Sequence, residues 1–304
     1  MIMALLSSML LSGPAPVSSE PGTAPVFGIE EVRDVVYGEA EGYWTESQDG
    51  PKGKSSFLFK KRGKPKPLEL KLDLYLPEGD ERPSRPLLLM MHGGAYFVGH
   101  KDEPGQQEWC RYFASLGYVA ASIDYRMGYH IRKKDITRAE NDAHEDAAAA
   151  LSYLLARDDL RIDRDQVYLA GTSAGAAISL RLAYEDATAD RDFRIRAVAN
   201  LWGYVYDLEV LTRASVPILS FQSEHDPVVP YKKGYPLNAS TLISKAWGTY
   251  SIHEKAQSLG IPCEHHPCSE RRHKLHMDNK GVLTPRFYEI CDRMAEFFAA
   301  AGKD

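Results

Sequence analysis

The chain has 304 residues, 44% of them hydrophobic, and a formal net charge of −5. That is enough apolar material for one or two ordinary globular cores. No apolar run reaches the ~20 residues of a membrane span, and Lys and Arg dispersed under a negative balance argue against nucleic acid as a partner. No C-x-x-C pair, phosphate loop, dinucleotide fingerprint or metal-ligand cluster is present, so neither a metal nor a cofactor is expected.

Residues 1–11 are apolar, and a Gly/Pro/Ala/Ser stretch follows to about Pro25. This has the form of a signal peptide with cleavage near Ala15 or Ser18-Ser19, and it makes a secreted or periplasmic protein the expectation. No Lys or Arg precedes Arg33, so the basic start of such a leader is missing. A flexible uncleaved leader on a cytoplasmic protein is the alternative. Residues 26–304 are read as a single domain, since no linker or repeat divides them. Oligomeric state is not readable.

Leu68, Leu70, Leu72, Leu74 and Leu76 alternate with Glu69, Lys71, Asp73 and Tyr75. Period two predicts an edge or half-exposed strand. Residues 87–91, 118–124, 167–170, 197–201 and 218–221 are continuous apolar runs, as parallel strands covered on both faces require. Helical patterns lie between them, most clearly at 139–157 and 173–184, and a last helix is expected at 285–300 with Tyr288, Ile290, Cys291, Met294 and Phe297 inward. Strands alternating with helices predict an α/β fold with a mostly parallel central sheet and helices on both faces. Residues 128–137 and an insert near Trp247 are read as a small lid.

The run 85–91 leads into His92-Gly93-Gly94-Ala95-Tyr96. Two glycines at a strand's C-terminal end let backbone N–H groups approach a negative oxygen. Gly94 and Ala95 are candidate donors, and His92 is read as a loop organiser bonded to backbone carbonyls. The run 167–170 leads into Gly171-Thr172-Ser173-Ala174-Gly175 and then a helix. Strand, G-x-S-x-G, helix is the context of a nucleophile elbow. Ser173 is the candidate nucleophile and the Ala174 N–H a third oxyanion donor. Losing one such donor typically costs ~3 kcal/mol of barrier. After the run 218–221 comes Asp226-Pro227, with Asp226 the candidate acid and Glu224 its rival.

The base is one of four histidines after Asp226. His265 and His266 fall in the final strand, 263–266, on opposite faces. The loop beyond it favours His273, with His276 as the alternative base. The order Ser173, Asp226, His273 is that of α/β hydrolases. The interval after Asp226 is read as an inserted helical segment at 237–259. Asn238-Ala239-Ser240 is either a glycosylation sequon or the N-cap of that helix. Cys263 and Cys268 bracket the approach to His273, either as a disulfide or as free thiols.

With His92-Gly93-Gly94-Ala95, the segment Gly117 to Arg126, Gly171-Thr172-Ser173-Ala174-Gly175 and Asp226-Pro227-Val228-Val229-Pro230 all in order, the chain resembles the α/β-hydrolase carboxylesterases and lipases with an HGG oxyanion motif. It is similar to the hormone-sensitive-lipase-like and acetyl-esterase branches, over roughly 68–300. The resemblance implies Ser173 as nucleophile, Asp226 as acid and Gly94, Ala95 and Ala174 as oxyanion donors. It departs at Ala95, where the family's third glycine is replaced, and at Arg272-His273, where the family has Gly-His.

Tyr96, Phe97 and Trp202 are candidate pocket residues, with Tyr129, Tyr204 and Tyr206 beside them. The reading is a serine carboxylesterase acting on short-chain acyl or small aromatic esters through an acyl-enzyme. A serine peptidase of the same fold and a non-catalytic hydrolase-fold binding module are the alternatives. The expected partner is a small-molecule ester.

Overall fold

Eight strands in the order β1-β2-β4-β3-β5-β6-β7-β10 make one sheet. The computed structural model describes residues 25–46, 64–130, 132–185 and 191–303. The leader, apart from Pro25, lies outside the described residues. Strands β3 (Arg85–Met91), β4 (Val119–Ile123), β5 (Ile162–Thr172), β6 (Ile195–Leu201), β7 (Ile218–Ser223) and β10 (Cys263–Cys268) pair in parallel. β3, β4 and β7 are buried along their whole length, which is why their sequences read as apolar runs without alternation.

The strand predicted as an edge or half-exposed one is exposed only toward its ends and lies inside the sheet. β2 (Lys66–Glu78) pairs antiparallel with β4 on one side and with β1 (Gly28–Gly42) on the other. β1 mixes Ile29, Val32, Val35, Val36 and Tyr37 with six charged residues and keeps no clean alternation, so the strand that covers β2 was not legible. β2's polar positions are not all solvated either. Asp73 is fully buried and pairs with Arg33 of β1 at 2.7 Å and with Lys101 at 2.9 Å.

Helices close both faces. α1 (Pro104–Ser115) and α5 (Pro285–Ala301) cover one, where Trp109, Phe113, Phe287 and Phe298 pack on Leu88 and Met90. Both helices begin with proline, whose fixed φ and missing N–H suit the first turn. In α5 it is Phe287, not Tyr288, that faces inward; Tyr288 is 54% exposed. α2 (Lys133–Leu155), α3 (Ala174–Leu180) and α4 (Thr249–Leu259) cover the other face with Leu87, Leu89 and Met91.

Between β7 and β10 the insert is helical only in its second half. Lys233–Gly234 (β8) and Ala246–Trp247 (β9) form a short antiparallel ribbon, tied to β6's exit by paired bonds between Val205 and Trp247. Asn238 sits at φ 54° in a 3-10 turn, and α4 starts only after Gly248, so Asn238 caps no helix. The stretch read as a lid at 128–137 runs into α2, which starts at Lys133. Cys263 and Cys268 occupy the two ends of β10 and are free. Five residues of strand separate them by ~16 Å, beyond the ~7 Å that a disulfide spans between Cα atoms.

Candidate active site

Residues 171–175 turn from β5 into α3 with no residue to spare. A Cβ on Gly171 would lie 2.3 Å from the Gly175 carbonyl carbon, and one on Gly175 would lie 2.1 Å from Met91 O. Both positions therefore need glycine. Between them Ser173 adopts φ 53° and ψ −115°. Such a conformation costs on the order of 1–3 kcal/mol in a residue with a side chain. It is held by the Ser173 N–H bonding Leu201 O at 2.9 Å and by the Ser173 carbonyl accepting from Ala177. The turn thereby sets the hydroxyl at the head of α3.

The hydroxyl meets a histidine. His273 Nε2 lies 2.9 Å from Ser173 Oγ, and His273 Nδ1 lies 2.8 Å from Asp226 Oδ2. A carboxylate only accepts, so Nδ1 carries the proton and Nε2 is left to accept from the serine. The Asp226 side chain has no solvent exposure. Its Oδ1 accepts from the Val228 and Val229 N–H groups at 2.8 and 3.1 Å, and Gln222 Nε2 donates to Oδ2 at 3.3 Å. The carboxylate is thus oriented from three sides. Glu224 is exposed and turned away.

His276 has a different place. Its ring is buried, stacked on Trp202 at 5.2 Å and packed against Trp109 at 4.7 Å. Burial pushes its pKa down to about 3, and it bonds neither Ser173 nor Asp226. His265 and His266 do face opposite sides of β10. His265 bonds Thr249 of α4, and His266 stacks on Phe221 and bonds Glu264.

The loop after β3 is built around His92. The ring is fully buried, stacks on Tyr125 at 4.2 Å and donates from Nδ1 to Gly93 O at 2.7 Å. Burial holds it neutral, with its pKa lowered to about 4. Gly94 has φ 114°, and a Cβ there would sit 1.8 Å from Val98 O. Its carbonyl accepts from Phe97 and Val98. Gly94, Ala95 and Ala174 all line space around Ser173.

Two recesses meet at Ser173. One, of about 260 Å³, is lined by Gly93, Gly94, Trp202, His273, Lys274 and His276, with Glu103 at its side. The other, of about 30 Å³, is lined by Ala95, Tyr96, Ala174, Tyr129 and Tyr204, with Ile136 and Glu140 of α2 and Leu237 and Ile243 of the insert. Trp202 lines the larger recess and Tyr96 the narrow one. Phe97 lines neither. Its ring is buried between Trp44 at 5.1 Å and Tyr129 at 5.2 Å, because the turn at Gly94 sends it into the core. Glu140 was missed. Its one sequence signal is that it interrupts the inward stripe Ile136, Ala139, Ala143, Ala147 of α2 with a carboxyl.

Sheet order, elbow and the Ser173–His273–Asp226 chain define the class by architecture: the chain has the α/β-hydrolase fold. Within it, residues 72–204 match the BD-FAE family model. The chain is 31% identical over 111 residues to Gut esterase 1 of Caenorhabditis elegans, a match covering 36% of this chain and 19% of that protein, so the chain spans about a fifth of that relative. Among solved structures, Thermogutta terrifontis esterase 2 superposes with a TM-score of 0.58 at 20% identity, covering 76% of this chain and 89% of that one. That esterase has been solved with propionate and with butyrate bound. Esterase B from Lactobacillus rhamnosis gives 0.58 at 16% identity, covering 90% and 86%.

Proposed function

We propose that the chain is a serine carboxylesterase that hydrolyses esters of short acyl groups through an acyl-enzyme. The observation that carries this reading is the unbroken chain from Ser173 Oγ through His273 to a desolvated, oriented Asp226. Ser173 attacks the ester carbonyl as His273 Nε2 takes its proton, and Asp226 stabilises the imidazolium. The Gly94, Ala95 and Ala174 N–H groups receive the oxyanion. His273 then returns the proton to the leaving alkoxide, and water repeats the sequence on the acyl-enzyme to release the acid.

The same chemistry assigns the two recesses. The leaving oxygen must lie within reach of His273 Nε2, so the alcohol occupies the larger recess, which His273 lines. The acyl group points into the narrow one, which His273 does not line. Its size supports acyl chains of about two to four carbons, in keeping with the propionate- and butyrate-bound structures of the Thermogutta esterase. The test is a p-nitrophenyl ester series from acetate to palmitate, run on the wild type and on Ser173→Ala. Loss of nearly all turnover in a folded variant supports the reading, and a variant retaining a tenth of wild-type activity overturns it.

A further inference from the structure

The narrow recess is not closed by hydrocarbon alone. Glu140 of α2 lines it together with Ser173, Ala95 and Ala174, and is 7% exposed. The carboxyl sits beside a group of phenols. The Tyr204 and Tyr206 rings meet edge to face at 5.4 Å, the Tyr96 hydroxyl donates to Ala174 O at 3.4 Å, and the Tyr206 hydroxyl donates to Glu140 Oε1 at 2.5 Å. The Tyr206 proton is committed to the carboxyl and the Tyr96 proton to the Ala174 carbonyl. Oε1 is taken by Tyr206. Oε2 has no hydrogen-bond partner among the described residues. Arg181, the cation acting on this group, spends its Nε on Glu185 and reaches only the Glu140 backbone carbonyl. Burial raises the Glu140 pKa, which marks the carboxyl as a group short of polar partners. The aliphatic part of the wall, Ile136, Val228, Val229, Pro236, Leu237 and Ile243, offers none, and the remaining polar side chains lining it are Ser173 and the phenols of Tyr96, Tyr129 and Tyr204.

A buried carboxyl acceptor in the wall of a narrow, mostly apolar recess fixes what enters it, because leaving it unpaired costs more than the pairing gains. We propose that Glu140 is a specificity-determining residue that selects short acyl groups carrying a hydroxyl, bonded through Oε2, over the alkyl groups of the same shape. This rests on the esterase reading and on the acyl group occupying the narrow recess. A site built to bond a substrate hydroxyl can reject the analogue lacking it by as much as 10⁴–10⁵. A small recess that also admits water falls short of that, and a preference of about tenfold or more is expected.

The experiment compares matched methyl esters that exchange a hydroxyl for a methyl group: glycolate against propionate, and 3-hydroxybutyrate against 3-methylbutyrate. Rates are followed by pH-stat, and each kcat/KM is divided by the ester's own rate of hydroxide hydrolysis. The wild type is expected to favour the hydroxyl member at least tenfold in one pair. Glu140→Leu is expected to lose that preference, and Glu140→Gln, which still hydrogen-bonds, to keep most of it. A wild-type preference under twofold in both pairs, or an unchanged preference in Glu140→Leu, overturns the assignment. Glu140→Met is the second apolar variant if the leucine variant does not fold, and the wild-type preference decides if neither does. Turnover of p-nitrophenyl acetate by the wild type and its loss in Ser173→Ala test the esterase reading separately. A missing hydroxyl preference beside normal acetate turnover therefore overturns the role of Glu140 alone.

Discussion

Gly175 stands so close to Met91 that a methyl group on it would lie 2.1 Å from the Met91 carbonyl oxygen. β3, which carries the loop around His92, and the turn that carries Ser173 are thereby locked to each other through backbone. Gly175→Ala has no flexible side chain to push aside. It should destabilise the protein by about 3 kcal/mol or more, the scale of a severe single substitution, and misplace Ser173 relative to the loop. Thermal unfolding with p-nitrophenyl acetate turnover on the soluble fraction is the check. A variant within a few degrees of the wild type and of normal activity would show that the junction has slack.

Asp226→Asn keeps the shape of the side chain but offers an amide where His273 Nδ1 now finds an acceptor. An amide N–H facing Nδ1 favours the tautomer with the proton on Nε2, the wrong nitrogen for accepting from Ser173. A fall of about 10⁴ in kcat with little change in unfolding temperature is expected. A loss of less than tenfold would mean that another group orients His273.

Acyl-chain preference should follow the walls of the narrow recess. Leu237 belongs to the insert, is 42% exposed, and sits at φ 56° in a short turn, so truncating it costs the core little. Leu237→Ala should move the best p-nitrophenyl ester toward longer chains by one or two carbons, each buried CH₂ contributing about 0.8 kcal/mol. An unchanged chain-length profile would place the acyl group elsewhere.

His276 makes stability depend on pH. Its folded pKa, about 3, is well below the ordinary histidine value, so the folded state keeps the ring neutral while the unfolded chain protonates it. The stability it contributes is complete above about pH 6.5 and is lost as pH falls from there toward about 3, at up to about 1.4 kcal/mol per pH unit. His92, lowered to about 4 by its own burial, adds loss of the same sign, whereas the raised pKa values of Asp124 and Glu140 act oppositely. The informative quantity is therefore a difference. The stability gap between the wild type and His276→Gln, from urea unfolding at pH 7 and pH 5, should shift in favour of the variant at the lower pH. A gap that does not change with pH would place the His276 pKa near its ordinary value.

Elements whose physics is local could be read from the chain without its fold. β3 and β7 read as buried strands because both of their faces are covered, and the glycines flanking Ser173 stood out because the turn leaves no room for a Cβ. The His92-Gly93-Gly94 loop was legible for the same reason. Ser173, Asp226 and His273 were each placed by their position just beyond a strand end, and chain order linked them. Only the tertiary structure brought them to hydrogen-bond distance and chose between His273 and His276. That choice depends on which ring Trp202 and Trp109 bury and which is left facing Ser173. β1 escaped notice because charged residues and two register shifts break up the period of its inward Val35 and Tyr37. Phe97 looked like a pocket residue until the turn at Gly94 carried it inward. Glu140 looked like an ordinary helix residue until α2, the Tyr96 loop and the insert converged on it, since a side chain's solvent is set by every element around it and not by its neighbours in sequence.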